Sequence, residues 1–133
     1  MNNYEYAAKV HRIVDGDTVY LKLSKTFTLP VDFGFNIIDT MNLTKDAVVG
    51  FRLYGINTPE VVGASKTAGL TATKELERLL NLGSLRVVSY KPDKYGRYLA
   101  DIYVMTDTTE LHVNQELVKG GFATQYFGVG PKV

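Results

Sequence analysis

Apolar and polar residues alternate from Val10 to Leu23. Val10, Ile13 and Val14 precede Asp15-Gly16-Asp17, and Val19, Leu21 and Leu23 then alternate with Tyr20 and Lys22. An Asp-Gly pair between two β-favouring runs predicts a hairpin. Phe27, Leu29, Val31, Phe33 and Phe35 continue the alternation and predict a further strand, which Pro30 restricts to an edge or a bulge. Asp39 to Asp46 reads as a polar loop or hairpin tip. Ala47 to Tyr54 is strand-like again and runs directly into Gly55-Ile56-Asn57-Thr58-Pro59-Glu60, a Gly- and Pro-bearing opening into a loop.

Helical spacing dominates from Ser65 to Leu80. Ala68, Ala72, Leu76, Leu79 and Leu80 share one face, Ser65 is placed to cap the start, and Gly83 lies just past the end. Leu85 to Tyr90 and Tyr98 to Met105 read as strands around the turn Lys91 to Arg97. Asn114 to Lys119 predicts a short second helix stopped by Gly120-Gly121, and the glycine-rich tail after Tyr126 reads as irregular. Antiparallel strands, a helix after the third or fourth, and a late short helix suit a mainly β (α+β) fold: a five-stranded Greek-key OB-type barrel with two helices. An open α+β sheet is the competing architecture.

Length and composition fit that reading. The 133 residues predict a single domain over 1–133, able to bury a core without staples. Hydrophobic residues make up 45% and charged residues 22%, as in globular chains. The absence of cysteine removes disulfides, zinc–thiolate sites and thiol nucleophiles. The net charge of +1 does not by itself point to a polyanion, so any phosphate binding has to come from a few placed groups. Neither a signal peptide nor a membrane-length apolar run is present, which predicts a soluble, cytoplasmic chain with no membrane partner.

Several groups at loop edges suit phosphodiester chemistry, which needs a neutralised phosphate, an oriented water and a stabilised transition state. Carboxylates with a hard divalent cation supply the first two, and arginine supplies bidentate contact and charge stabilisation. Asp17, at the start of the second strand, is the better ligand of the Asp15–Asp17 pair, although Asp-Gly-Asp is also an ordinary turn. Arg52 sits between Phe51 and Leu53. It reads either as a solvent-facing residue of a half-buried strand or as an arginine aimed at a phosphate. Pro59 stiffens the turn that delivers Glu60. Arg97 follows a glycine turn and is also readable as its exposed flank. His11 and His112 read as isolated surface or structural residues. Tyr95 and Tyr126 are candidates for stacking on bases.

Four motifs occur in a fixed order: Val-Asp-Gly-Asp-Thr-Val at 14–19, Phe-Arg-Leu-Tyr-Gly-Ile-Asn-Thr-Pro-Glu at 51–60, Asp-Lys-Tyr-Gly-Arg-Tyr-Leu-Ala at 93–100, and Val-Asn-Gln-Glu-Leu-Val-Lys-Gly-Gly-Phe-Ala at 113–123. Together they resemble the staphylococcal nuclease (thermonuclease-like) family over about Val10 to Tyr126. The resemblance implies an OB-type barrel and a Ca²⁺-dependent endonuclease acting on DNA and often RNA, leaving a 3′-phosphate. It matches Asp17 to a carboxylate ligand of calcium and Asn57 to the position of a second. Thr58 matches a ligand through its carbonyl. Glu60 matches the residue that orients the attacking water, Arg52 and Arg97 the two phosphate-binding arginines, and Asn114 a structural asparagine. Asn57 departs from the family's aspartate, and losing one negative charge weakens cation binding. The insertion from Thr26 to Gly50 and the short chain after Tyr126 resemble phage-type members.

An active nuclease is therefore the leading expectation, with DNA or RNA as substrate and no obligate protein partner. A nucleic-acid-binding module on the same barrel, its metal site spoiled by Asn57, is the second. A protein-interaction domain is the third. Retention of Glu60 and both arginines favours the first.

Overall fold

A computed structural model describes residues 4–59, 63–92 and 98–126. In chain order the elements are β1 (Tyr4–Asp15), β2 (Thr18–Asp32), β3 (Ile38–Leu53), β4 (Ile56–Asn57), α1 (Lys66–Leu80), β5 (Ser84–Pro92), β6 (Tyr98–Met105), β7 (Glu110–His112), α2 (Val113–Lys119) and β8 (Thr124–Gln125). A 3-10 turn, Gly63–Ser65, leads into α1.

The strands run β3-β2-β1-β5-β6 by antiparallel pairing, and β3 then pairs with β6 in parallel through Phe51–Tyr98, Arg52–Leu99 and Leu53–Ala100. That last pairing closes five strands into a barrel, as the OB reading expects, and rules out an open sheet. Alternation determines what fills it. Val19, Leu21, Phe51, Leu53, Val87, Ile102 and Val104 are fully or almost fully buried. Helix α1 follows the third barrel strand and packs Ala72, Leu76, Leu79 and Leu80 onto this core, while Val113 and Leu117 of α2 join it as well. Each buried leucine contributes roughly 1.5–3 kcal/mol of transfer free energy. Ala68, expected on the buried face of α1, is exposed, and Gly69 is buried instead. Gly83 fills a place only glycine fits, because a Cβ there would lie 1.7 Å from the carbonyl oxygen of Met105.

The region from Thr26 to Gly50 departs most from expectation. Asp39 to Asp46 is not a loop but part of β3, paired residue for residue with β2 from Asp32–Ile38 to Thr18–Arg52. The turn lies earlier, at Phe33 to Ile37, where the Phe33 N–H donates to the Ile37 carbonyl at 2.8 Å. The polar residues that suggest a loop are satisfied across the hairpin instead. Ser24–Asp46, Thr26–Thr44 and Thr28–Asn42 are cross-strand pairs, with side-chain hydrogen bonds of 2.6, 3.1 and 2.9 Å. β1 accompanies β2 only as far as Leu23, opposite Ala8. Beyond that point β2 and β3 form a two-stranded ribbon. Pro30 belongs to that ribbon, so the edge position expected of it is what the fold provides. Among the described residues no helix is long and apolar enough to cross a membrane.

Candidate active site

The segment Phe51 to Pro59 leaves the barrel where β2, β3 and β6 meet. Phe51, Arg52 and Leu53 are all buried, so both faces of the strand end are covered. Arg52 is therefore not the solvent-facing alternate its neighbours suggested: it is 7% exposed. Its Nη1 donates to the Leu53 carbonyl at 3.4 Å. Its Nη2 is buried with no hydrogen-bond partner among the described residues, and Oδ2 of Asp17 is 3.8 Å away. A buried donor left unmade costs about 1–3 kcal/mol, and that cost makes such a guanidinium receptive to an incoming oxyanion.

Asp17 holds the turn to the segment. Its carbonyl accepts the Leu53 N–H at 2.9 Å. Its Oδ2 accepts the Thr58 N–H at 3.1 Å, and its Oδ1 accepts the Thr18 hydroxyl at 3.2 Å. Asp15 stands behind it and accepts the Asp17 N–H at 3.1 Å. Burial, followed by the hydrogen bond to and repulsion from Asp17, pushes the Asp15 carboxyl up to about 6. Gly16 is more than a turn glycine. A Cβ there would lie 2.8 Å from Cβ of Ala72 and 2.9 Å from Oγ1 of Thr58, so its bareness lets helix α1 and the segment close on the turn.

Asn57 and Thr58 are buried at 8% and 5% exposure. Asn57 pairs with Thr124 through the small β4–β8 sheet, and the Tyr126 N–H donates to the Gly55 carbonyl at 2.8 Å. The Tyr126 ring centroid is 6.0 Å from Cζ of Arg52, at the outer limit for a cation–π contact. The last described residues thus strap the segment from outside, a pairing that no local sequence signal announces. Asn114 ties it to the barrel: Nδ2 donates to the carbonyls of Tyr54 (2.9 Å) and Ala100 (3.0 Å), and Oδ1 accepts the Ile102 N–H (3.1 Å).

Asp17, Arg52 and Thr58 are therefore brought together, with Asn57 adjacent in the chain and Tyr126 alongside. Glu60, Tyr95 and Arg97 lie outside the described residues. The available donors are one carboxylate, one side-chain amide and backbone carbonyls, all hard oxygens of the kind Ca²⁺ takes. Among the described residues no group of three or more His, Cys, Asp or Glu converges on a metal position.

His11 is exposed, as expected. His112 is not isolated: its Nε2 lies 2.7 Å from Oδ1 of Asp101, whose Oδ2 accepts the Tyr90 hydroxyl. That donation is the main reason the Tyr90 phenol is held above its ordinary range. Tyr103 stacks on His112, and Arg86 lies over Tyr103 while bridging Glu110 and Glu5. This cluster braces β5, β6 and β7 to one another.

Fold and site define an OB-type barrel with Asp17, Arg52 and Thr58 gathered at one end. The chain belongs to the staphylococcal nuclease homologue family, which matches residues 50–132. It is 31% identical over 127 residues to the uncharacterized protein MJ1439 of Methanocaldococcus jannaschii, covering 91% of this chain and 59% of that protein. It is 31% identical over 134 residues to endonuclease YhcR of Bacillus subtilis, covering 92% of this chain and 9% of that one. The chain thus spans only part of the length of the relatives it matches. Among solved structures, the extended Tudor domain of human TDRD1, in complex with a symmetrically dimethylated peptide, superposes with a TM-score of 0.60. It is 10% identical and covers 95% of this chain and 93% of that one, a likeness of fold alone.

Proposed function

We propose that this chain is a Ca²⁺-dependent endonuclease that hydrolyses phosphodiester bonds of DNA and RNA and leaves 3′-phosphate ends. The observation that carries the reading is the buried Nη2 of Arg52, without a hydrogen-bond partner among the described residues, beside Asp17. A guanidinium held this way is a binding group for a phosphate oxygen. Family membership and the relation to an endonuclease support the same reading.

Asp17, Asn57 and the Thr58 carbonyl would hold the cation, which when bound supplies charge neutralisation at the phosphate. Arg52 binds the phosphate and faces the negative charge that grows on it. Glu60, following the rigid Pro59, orients a water for in-line attack at phosphorus and accepts its proton, and the P–O5′ bond opposite the water breaks, the 5′-oxygen leaving as a hydroxyl with a proton from solvent. Arg97 stabilises the same developing charge from the second loop, and Tyr95 and Tyr126 stack on flanking bases.

Incubation of the full chain with plasmid and single-stranded DNA in Ca²⁺, Mg²⁺, Mn²⁺ or EDTA tests this. Cleavage that requires a divalent cation and collapses in Glu60→Gln and Arg97→Ala supports the enzyme. One feature favours a second reading, a binding module with little catalysis: Asn57 offers a neutral oxygen at a position where the resemblance to the family implies a carboxylate. Retarded DNA with no cleavage in any metal would establish that alternative. A gain of cleavage in Asn57→Asp, about tenfold if one ligand charge sets cation occupancy, would measure what the position costs.

A further inference from the structure

The β2–β3 ribbon carries the barrel's interior face past the end of the barrel. Odd-numbered residues of β2 and β3 point the same way along the whole hairpin. Near the barrel they are Val19, Leu21, Val49, Phe51 and Leu53, which belong to the core or pack against it. Past Leu23 the same face continues as Phe27–Leu43, Leu29–Met41 and Val31–Asp39, and ends at Phe33 and Ile37. Among the described residues nothing covers it. Phe27, Leu29, Met41 and Leu43 are 42–47% exposed, Ile37 is 59%, Phe33 is 67%, and Phe35 at the tip is 99%.

With roughly 200 Å² for a whole phenylalanine and somewhat less for the aliphatic residues, the apolar residues of this strip and tip expose about 750 Å², backbone included. That exceeds the patch of a few hundred Å² usual on a monomer and approaches the ~800 Å² per partner of a stable interface. Phe35 also adopts a left-handed conformation, φ 54°, which is unusual for a bulky residue and holds an apolar ring fully in solvent.

The charges on this face suggest what covers it. Lys25 and Lys45 form its inner rung, and Asp39, opposite Val31, stands three rungs further out. A second copy laid face to face and antiparallel, with tip against base, brings each Asp39 to the other copy's Lys25 and Lys45 while the apolar rungs between them interdigitate. A two-fold axis makes both halves of that match at once. The outer face and edges are unsuited to the role, since they carry the Ser, Thr and Asn ladder and Pro30. Nucleic acid is a poor occupant: residues 24–46 carry two lysines against three aspartates.

We propose that the protein is a homodimer in solution through the apolar face of the β2–β3 ribbon, packed antiparallel on the same face of a second copy. This assignment is independent of the nuclease reading. Sedimentation velocity and light scattering on the full chain, across a concentration series, test it. The wild type is expected to run as a dimer. Leu29→Glu with Met41→Glu buries two carboxylates from each copy in the interface and should weaken the dimer by at least about thirty-fold, while circular dichroism stays that of the folded barrel. Charge exchange gives a second readout that leaves the apolar strip intact. Asp39→Lys alone should weaken the dimer and increase its sensitivity to salt, and Asp39→Lys with Lys25→Asp and Lys45→Asp should restore it. A wild type that stays monomeric throughout, a dimer that survives Leu29→Glu with Met41→Glu, or a charge exchange that fails to restore association would each overturn the proposal.

Discussion

The two ends of the β2–β3 hairpin share one alternation and meet different fates. At the barrel end, Leu21 and Leu53 are fully buried and Arg52, on the opposite face, is buried as well. At the outer end, Leu29 and Met41 continue the buried parity yet remain almost half exposed. Alternation dictates which residues share a face. What lies against each end is decided by other elements: β6 and the turn at Asp17 at one end, and nothing among the described residues at the other.

The sharpest way to break this comparison is at Arg52. Arg52→Ala should lower cleavage by about 10³-fold, the cost of removing a charge-stabilising donor from a covered site, while circular dichroism remains that of the folded barrel. Near-normal cleavage would remove Arg52 from the site. Next in size is a matched pair of truncations. Leu21→Ala should cost ~2–5 kcal/mol in urea unfolding, as a fully buried leucine does. Leu29→Ala, measured below the concentration at which copies associate, should cost less than about 1 kcal/mol, since Leu29 is 42% exposed where Leu21 is fully buried. Equal costs would mean the ribbon is packed within the monomer.

Gly16→Ala should follow at about 1–3 kcal/mol, the usual penalty for overpacking, because the new methyl lands on Ala72 and Thr58. Cleavage should fall with it as Thr58 is pushed off Asp17. An unchanged melting temperature would show that α1 yields freely.

The smallest effect concerns Asp15. Its carboxyl, ordinarily near 3.8, is raised to about 6 in the fold, so the folded protein binds that proton more tightly than the unfolded chain. The stabilisation is complete below about pH 3.8 and is lost as pH rises through about 6. In EDTA, Asp15→Asn should therefore melt increasingly above the wild type between those limits. Parallel curves would show that Asp15 ionises normally.

Much of this was legible in the sequence. The Asp15–Asp17 turn, the α1 periodicity and the short α2 are local signals, and each element lies where its pattern predicts. The motif at 51–60 marked the segment that the fold pins against Asp17. Features that depend on distant partners were not legible. Asp39 to Asp46 looked like a loop because its Asp, Thr and Asn residues are satisfied by β2, across the hairpin. The burial of Arg52 depends on β6, the role of Gly16 on α1, and the company of His112 on Asp101, one strand away.

The strap formed by Thr124, Gln125 and Tyr126 also has a consequence in time. The segment carrying Asn57 and Thr58 is synthesised well before its β-sheet partner and before the N–H that holds Gly55. Without Thr124 to Tyr126 the backbone of Asn57 and Gly55 loses these contacts, so a chain cut short before Thr124 should keep the barrel strands and lose the geometry at their end.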